Sequence, residues 1–277
     1  MQKYAVFGAG RIGTIHAANL AQHPQAQLAA ICDPHQASAE QLAARFNCQQ
    51  TTAETIFADP AIAGVLVCSA THTHADLIEQ AVRAGKYVFC EKPVDLSLLR
   101  VRQCVTRVAG LASRVMVGFN RRFDPNFQQL RQRIMDGAIG KVELISIHSK
   151  DPAPPPLEYL KVSGGLFRDM TIHDLDMAGY LLQEDIVAVN VQASCQVDPA
   201  IAAVGDVDTA IINLATSSGK LVQIANSRRT TYGYDQRIEV HGGLGMLRAG
   251  NVVENTVTEY HADGITSALP MHFFLQR

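Results

Sequence analysis

A chain of 277 residues, 47% hydrophobic and 18% charged, is long enough for two domains or one large one and reads as ordinary globular protein. Lys and Arg total 24 against 26 Asp and Glu, a formal net charge of −2, and no basic stripe calls for nucleic acid. No apolar run approaches the ~18 residues that would cross a bilayer, and the six cysteines, scattered without a Cys-x-x-Cys pair, are expected as buried free thiols in a reducing cytoplasm.

The first strand pattern, over residues 3–8, begins at once and leaves no room for a leader peptide. Gly8-Ala9-Gly10-Arg11-Ile12-Gly13 comes next and opens a helical pattern through Ala21. Three glycines so spaced between strand and helix are a dinucleotide signature. The first makes the tight turn, the second lets backbone approach a pyrophosphate, and the third lets the helix pack close. The first N–H groups of the helix, with Arg11 and Ile12 among them, then face the phosphates. Residues 27–32 form a second strand ending in Asp33, about twenty residues past the last glycine. A carboxylate there accepts hydrogen bonds from the adenosine ribose and repels a 2′-phosphate, which favours NAD over NADP. Asp33 is equally placed to cap a helix over 37–46.

A short strand near 49–51, a helix over 53–57 and a strand over 64–68 come next. Ser69 and the His72-Thr73-His74 loop then lead into an amphipathic helix through Arg83. A strand over 87–90 ends in Glu91-Lys92-Pro93, and another spans 115–119. This alternation predicts an α/β Rossmann domain, a doubly wound parallel sheet that binds ligands at the carboxyl ends of its strands. Ser69, His74, Glu91 and Lys92 all fall at such ends. Proline holds Lys92 out of helical geometry and lets its side chain enter the crevice. His72 and His74 have no third ligand at metal spacing, so no metal is expected.

Past a crossover at 120–125 and a helix over 126–136 the period changes. Strands are predicted over 141–149, 187–197, 207–216, 220–228, 235–241, 245–248 and 252–260, with one substantial helix at about 169–182. The expectation is a nucleotide domain at 1–120 and an α+β domain at 121–277 built on a large, mostly antiparallel sheet. Prolines make Asp151-Pro152-Ala153-Pro154-Pro155-Pro156 a stiff loop. A flexible pair, Gly164-Gly165, precedes the helix on which Asp169 and His173 stand four apart, on one face. A carboxylate beside an imidazole favours the protonated ring and fixes its orientation, as proton exchange near neutral pH requires. A surface ion pair would use the same spacing.

Together Gly8-Ala9-Gly10-Arg11-Ile12-Gly13, Glu91-Lys92-Pro93, Gly118-Phe119-Asn120-Arg121-Arg122-Phe123-Asp124 and Gly164-Gly165…Asp169…His173-Asp174 resemble the Gfo/Idh/MocA family of NAD(P)-dependent sugar and polyol oxidoreductases. Within it, the proline-rich loop, the run from Ser163 to His173 and Tyr232-Gly233-Tyr234-Asp235-Gln236-Arg237 are most similar to the inositol 2-dehydrogenases. The resemblance spans essentially the whole chain. It implies a cytoplasmic enzyme that oxidises myo-inositol to its 2-keto form with NAD, through a catalytic triad of Lys92, Asp169 and His173. It also implies substrate contacts from Lys150, Asp151 and Tyr234, with Arg121 or Arg122 lining the site. Homo-oligomers, tetramers or dimers built through the open sheet face, are implied as well. The alternatives are a related aldose or scyllo-inositol dehydrogenase, or a catalytically silent NAD-binding sensor or assembly subunit. Family members usually run several dozen residues further, so Phe273-Phe274-Leu275-Gln276-Arg277 is expected to begin a further segment.

Overall fold

Short apolar runs bounded by glycine and polar turns become strands of a parallel sheet in the computed structural model, which describes residues 1–273. The chain divides into two units, Met1–Phe119 and Asn120–Arg277. In the first, β1 (Gln2–Phe7), β2 (Ala26–Cys32), β3 (Gln49–Gln50), β4 (Ile62–Val67), β5 (Tyr87–Cys90) and β6 (Val115–Val117) are all parallel, in the order β3-β2-β1-β4-β5-β6. Helices α1 (Arg11–Gln22), α2 (Gln36–Arg45), α3 (Ala53–Ala58), α4 (His74–Arg83) and α5 (Leu98–Val108) connect them. The two-residue period of β1 feeds both sides of the sheet. Val6 packs with Leu28, Ile31 and Leu42, while Ala5 and Phe7 pack with Val65, Ile78 and Val88. Strand order reverses between β1 and β4, and there the crevice at the carboxyl ends opens.

Helix α5 is not anticipated from the sequence. It is fixed by charge: Glu79 on α4, buried, takes Arg100 at 2.6 Å and Arg107 at 3.1 Å from α5, and Arg83 at 3.1 Å from its own helix.

The second unit begins with α6 (Pro125–Met135), whose Asp124 cap accepts from the Asn126 amide at 2.9 Å and the Phe127 amide at 3.2 Å. Then come β7 (Val142–Lys150), α7 (Leu157–Ser163), α8 (Ile172–Leu182), β8 (Ile186–Ser194), α9 (Pro199–Ala203), β9 (Thr209–Thr216), β10 (Leu221–Ser227), β11 (Asp235–Gly242), β12 (Gly245–Ala249), β13 (Thr258–His261) and β14 (Gly264–Ser267). Six strands form one sheet in the order β12-β11-β7-β10-β9-β8. Its neighbours are antiparallel except β7 and β10, which run parallel. One face buries Ile145, Ile147, Ile212, Leu214, Val222 and Ile224 against Met177 and Leu181 of α8 and Phe127 of α6. The other leaves Leu144, Ile211, Leu221 and Met246 exposed.

Two expectations change here. The strand predicted over 252–260 is instead an exposed hairpin, β13–β14, closed at His261 and Gly264. Asn251 explains where the sheet stops: its amide accepts from the Gln236 N–H at 2.8 Å and donates to Asp235 at 2.9 Å, turning the chain off β12. The single helix predicted over 169–182 is a π turn, Phe167–Thr171, running into α8, with α7 ahead of it. Residues 274–277, where the C-terminal expectation falls, lie outside the described residues. Among the described residues no helix is long and apolar enough to cross a membrane.

Candidate active site

The glycine loop has three different environments, one per glycine. Gly8 sits at φ +103°, and a Cβ there would lie 2.5 Å from the Cys68 carbonyl oxygen. A Cβ on Gly13 would lie 1.9 Å from the Gly8 carbonyl oxygen. Gly10 has no neighbouring heavy atom within 4 Å of that position, and as N-cap of α1 it supplies no side chain to the first helical amides. Two glycines are thus demanded by the fold, whereas Gly10 keeps a space open where the helix amides and its positive dipole end point outward. That is the cradle a pyrophosphate requires.

Asp33 closes the loop from the side. Its Oδ2 accepts from the Ala9 amide at 2.7 Å and its Oδ1 from the His35 amide at 2.7 Å. The helix cap expected of it falls to His35, whose ring accepts from the Ser38 amide. At the end of β4, Ser69 Oγ lies 2.6 Å from Thr73 Oγ1. His74 is buried, with Nδ1 2.8 Å from the Pro93 carbonyl and Nε2 2.9 Å from the Ser69 carbonyl. It is therefore a strut joining the loops after β4 and β5. Glu91 at the end of β5 pairs with His16 of α1 at 2.8 Å, and His16 stacks edge-on to Phe89. Lys92 comes next, half-buried, at a cis peptide bond to Pro93.

In the second unit the ends of β7 and β10 and the start of β11 collect polar side chains at one end of the sheet. Arg121, buried, donates to Asp174 through Nη1 and to Ser149 Oγ at 2.9 Å through Nη2. Asn226 donates to Asp174 at 2.8 Å and accepts from Thr171 Oγ1 at 2.6 Å. Asp174 is fully buried, so a guanidinium and an amide lock the first turn of α8 onto β10. His173, also buried, is its neighbour. Asp169 lies earlier, in the π turn, where its carboxylate accepts from Tyr159 Oη at 2.9 Å and from Arg228 Nη1 at 3.3 Å. Asp169 and His173 thus stand across the junction of the π turn and α8 rather than on one regular helix, with the Asp169 carboxylate turned toward Tyr159 of α7 and Arg228 after β10.

Lys150 ends β7. Burial pushes the Asp151 carboxyl beside it up to about 6, against the pull of Arg228 and Arg121 and aided by repulsion from Asp169 and Asp174. Tyr234 stands edge-on to His272 at 4.8 Å and leans on the core. Next to it the buried Asp235, despite desolvation, is held down to about 2 by hydrogen bonds from Arg237, Asn251 and Tyr232. Arg122, expected at the substrate, makes a bidentate pair with Asp176 of α8 at 2.6 and 2.8 Å. Arg121 is the arginine that joins the cluster. Sequence reasoning gave no role to Asp174, Asn226, Asp206 or Arg228; Asp174, Asn226 and Arg228 are buried and Asp206 partly so, but their helix, strand and loop positions carry no local pattern that says so.

Residues 2–119 match the model of the oxidoreductase family with an NAD-binding Rossmann fold, and residues 127–248 that of the GFO/IDH/MocA C-terminal domain. The chain belongs to the Gfo/Idh/MocA family. An inositol 2-dehydrogenase from Rhizobium meliloti (strain 1021) is 48% identical over 99% of this chain and 83% of that relative. A crystal structure of a myo-inositol dehydrogenase from Corynebacterium glutamicum superposes with a TM-score of 0.94 at 43% identity, covering 99% of this chain and 83% of that one. A scyllo-inositol dehydrogenase from Lactobacillus casei, crystallised with NAD(H) and scyllo-inositol, gives a TM-score of 0.90 at 29% identity, again over 99% and 83%.

As a Gfo/Idh/MocA oxidoreductase the chain takes NAD, and its first unit fits that cofactor. The open position at Gly10, the uncapped amides of α1 and a carboxylate at the end of β2 are the three features a pyrophosphate and ribose need. In the second unit His173 and Asp174 are buried on the first turn of α8, and Asp169 is half-buried in the π turn before it.

Proposed function

We propose that this chain is an inositol 2-dehydrogenase, oxidising myo-inositol to 2-keto-myo-inositol. The observation that carries the reading is 48% identity, across 99% of the chain, to a relative named for that reaction. A sheet end lined by Asp151, Lys150, Asp169 and His173 supports it, because a ring of hydroxyls is recognised by many polar partners and rejected when one is missing.

NAD, when bound, supplies the acceptor for hydride from the alcohol carbon. His173 takes the hydroxyl proton, Asp169 supports the charge that proton creates, and Lys92 donates a hydrogen bond to the developing alkoxide. A general base contributes about 10²–10⁴-fold. Lys92→Ala and His173→Ala should therefore each lower kcat by about two orders of magnitude with NAD affinity nearly unchanged. Full turnover in either variant removes that residue from the mechanism. We further propose that the exposed face bearing Leu144, Ile211, Leu221 and Met246 is covered in a homo-oligomer, a dimer or tetramer.

A scyllo-inositol substrate is favoured instead by the likeness to the Lactobacillus casei enzyme, at lower identity. NAD reduction followed at 340 nm with myo-inositol, scyllo-inositol and glucose decides between them: myo-inositol should give the highest kcat/KM. Preference for another polyol overturns the substrate assignment, and NAD binding without any turnover points to a silent sensor.

A further inference from the structure

The pair Gly164-Gly165 and the buried Arg228 have no part in the proton and hydride chemistry, yet Asp206 links Gly165 to Arg228. Arg228 comes directly after β10 and is 1% exposed. Its Nη1 donates to Asp169 Oδ2 at 3.3 Å, and its Nη2 lies 3.9 Å from Asp206 Oδ2, an ion pair without a hydrogen bond. Asp206 turns its other oxygen to the Leu166 amide at 3.0 Å. Gly165, at φ +79°, lies so close that a Cβ there would come 2.6 Å from Asp206 Oδ1. The positive φ and this contact together require glycine here. Asp206 therefore holds the residue before the π turn and Arg228 holds Asp169 at its middle, so two linked charges fix the first half of the turn.

We propose that Arg228 is a positioning residue that keeps the Asp169 carboxylate ionised and aimed, with Asp206 dividing its charge. This rests on the reading that Asp169 works in the oxidation. The charged and titratable groups on the elements about Asp169 are Tyr159 from α7, Lys150 at the end of β7 and Asp151 after it, Asp206 before β9, Arg228 after β10, Arg121 ahead of α6, and His173 and Asp174 on α8. Carboxylates at 151, 169, 174 and 206 outnumber the two guanidinium groups. Removing Arg228 leaves them repelling one another; removing the charge of Asp206 frees Arg228 for Asp169. The two changes act in opposite directions on the same carboxyl, which loss of packing alone would not do.

The test is a ¹³C NMR titration of the Asp169 carboxyl in the full chain, unaltered and as R228Q, R228K and D206N, beside pH profiles of kcat/KM on myo-inositol. R228Q should raise the Asp169 pKa by about one unit or more and lower kcat about tenfold, with KM for NAD within about twofold. R228K should restore most of both, and D206N should shift the pKa downward by some tenths of a unit. The acid limb of the profile should move with the carboxyl. An Asp169 titration unmoved in D206N, or moved the same way in D206N and R228Q, overturns the proposal. If R228Q does not fold, the sign in D206N decides. An unaltered chain that fails to oxidise inositol counts against the proposed function, while the titration still judges Arg228.

Discussion

Substituting alanine at Gly10 and at Gly13 should separate binding from folding within one loop. At Gly13 the added methyl would lie 1.9 Å from the Gly8 carbonyl oxygen and 2.9 Å from its carbon, both backbone atoms, so α1 itself must move. Overpacking of that kind costs about 3 kcal/mol, and the helix preference of alanine returns about 1. The net loss of about 2 kcal/mol corresponds to roughly 8 °C in melting temperature for a unit of this size. At Gly10 nothing lies within 4 Å and φ is −76°, so the methyl meets no protein atom. Alanine is a poorer cap than glycine, by about 1 kcal/mol at most. The same methyl, however, stands where the pyrophosphate must come. Gly10→Ala should therefore melt within about 4 °C of the native chain yet bind NAD at least about tenfold more weakly, a loss of about 1.4 kcal/mol. Thermal melts with and without nucleotide, beside calorimetric titration of NAD, measure both quantities. Native NAD affinity in Gly10→Ala would refute the assignment of that space, and a native melting point in Gly13→Ala would refute the close-packing argument.

Asp33→Ala should weaken NAD about tenfold and narrow its advantage over NADP; an unchanged ratio of the two affinities takes Asp33 out of ribose recognition. Asp151 has its folded-state pKa raised to about 6, so its favourable contribution holds while it is protonated and is lost as pH rises through that value. Asp151→Asn should accordingly be more stable than the native chain at pH 8, by up to about 2 kcal/mol, with the gap shrinking toward pH 5. Equal gaps at the two pH values would contradict this. Asp208 is fully buried and accepts from the Gln196 and Val197 amides at 2.8 Å, the Asp198 amide at 3.1 Å and Thr209 Oγ1 at 2.9 Å. Asp208→Asn turns an acceptor into a donor facing donors and should cost about 2–4 kcal/mol, seen as a drop of roughly 10 °C in the melting of the second unit; a drop under a few degrees would mean the loop over 195–198 is held by other means.

Most of the parallel unit was legible because its signals are local. Strand runs such as Ala5-Val6-Phe7 sit between polar turns, and glycine spacing marks where the first helix begins. Helix α5 escaped because its anchor, Glu79, lies two elements away and its β-branched valines mimic a strand. The mixed sheet was legible as a class through its alternating apolar positions, but the turn at Asn251 depends on a side-chain amide reaching β11. Among the proposed site residues, Lys92, Asp169 and His173 stand out by motif order, and Asp33 by its distance to the glycines. Nothing in Arg121-Arg122 says which guanidinium turns inward; in the fold Arg121 pairs with the buried Asp174 and Arg122 with Asp176. Arg228 could not be singled out, since its neighbour Arg229 looks the same in sequence and only the fold distinguishes a buried cation from an exposed one.

The π turn at Phe167–Thr171 has a consequence for how this chain tolerates change. Such a turn holds one residue more than the α winding it replaces. Deleting Met170 or Thr171, the two residues between Asp169 and α8, would bring Asp169 one position nearer that helix and turn it by about 100° about the axis. The carboxylate would then face away from Tyr159 and the guanidinium, although Asp169 itself is spared. The direction of that acid is stored in a residue count, out of reach of any scan by substitution and open to a single-codon deletion.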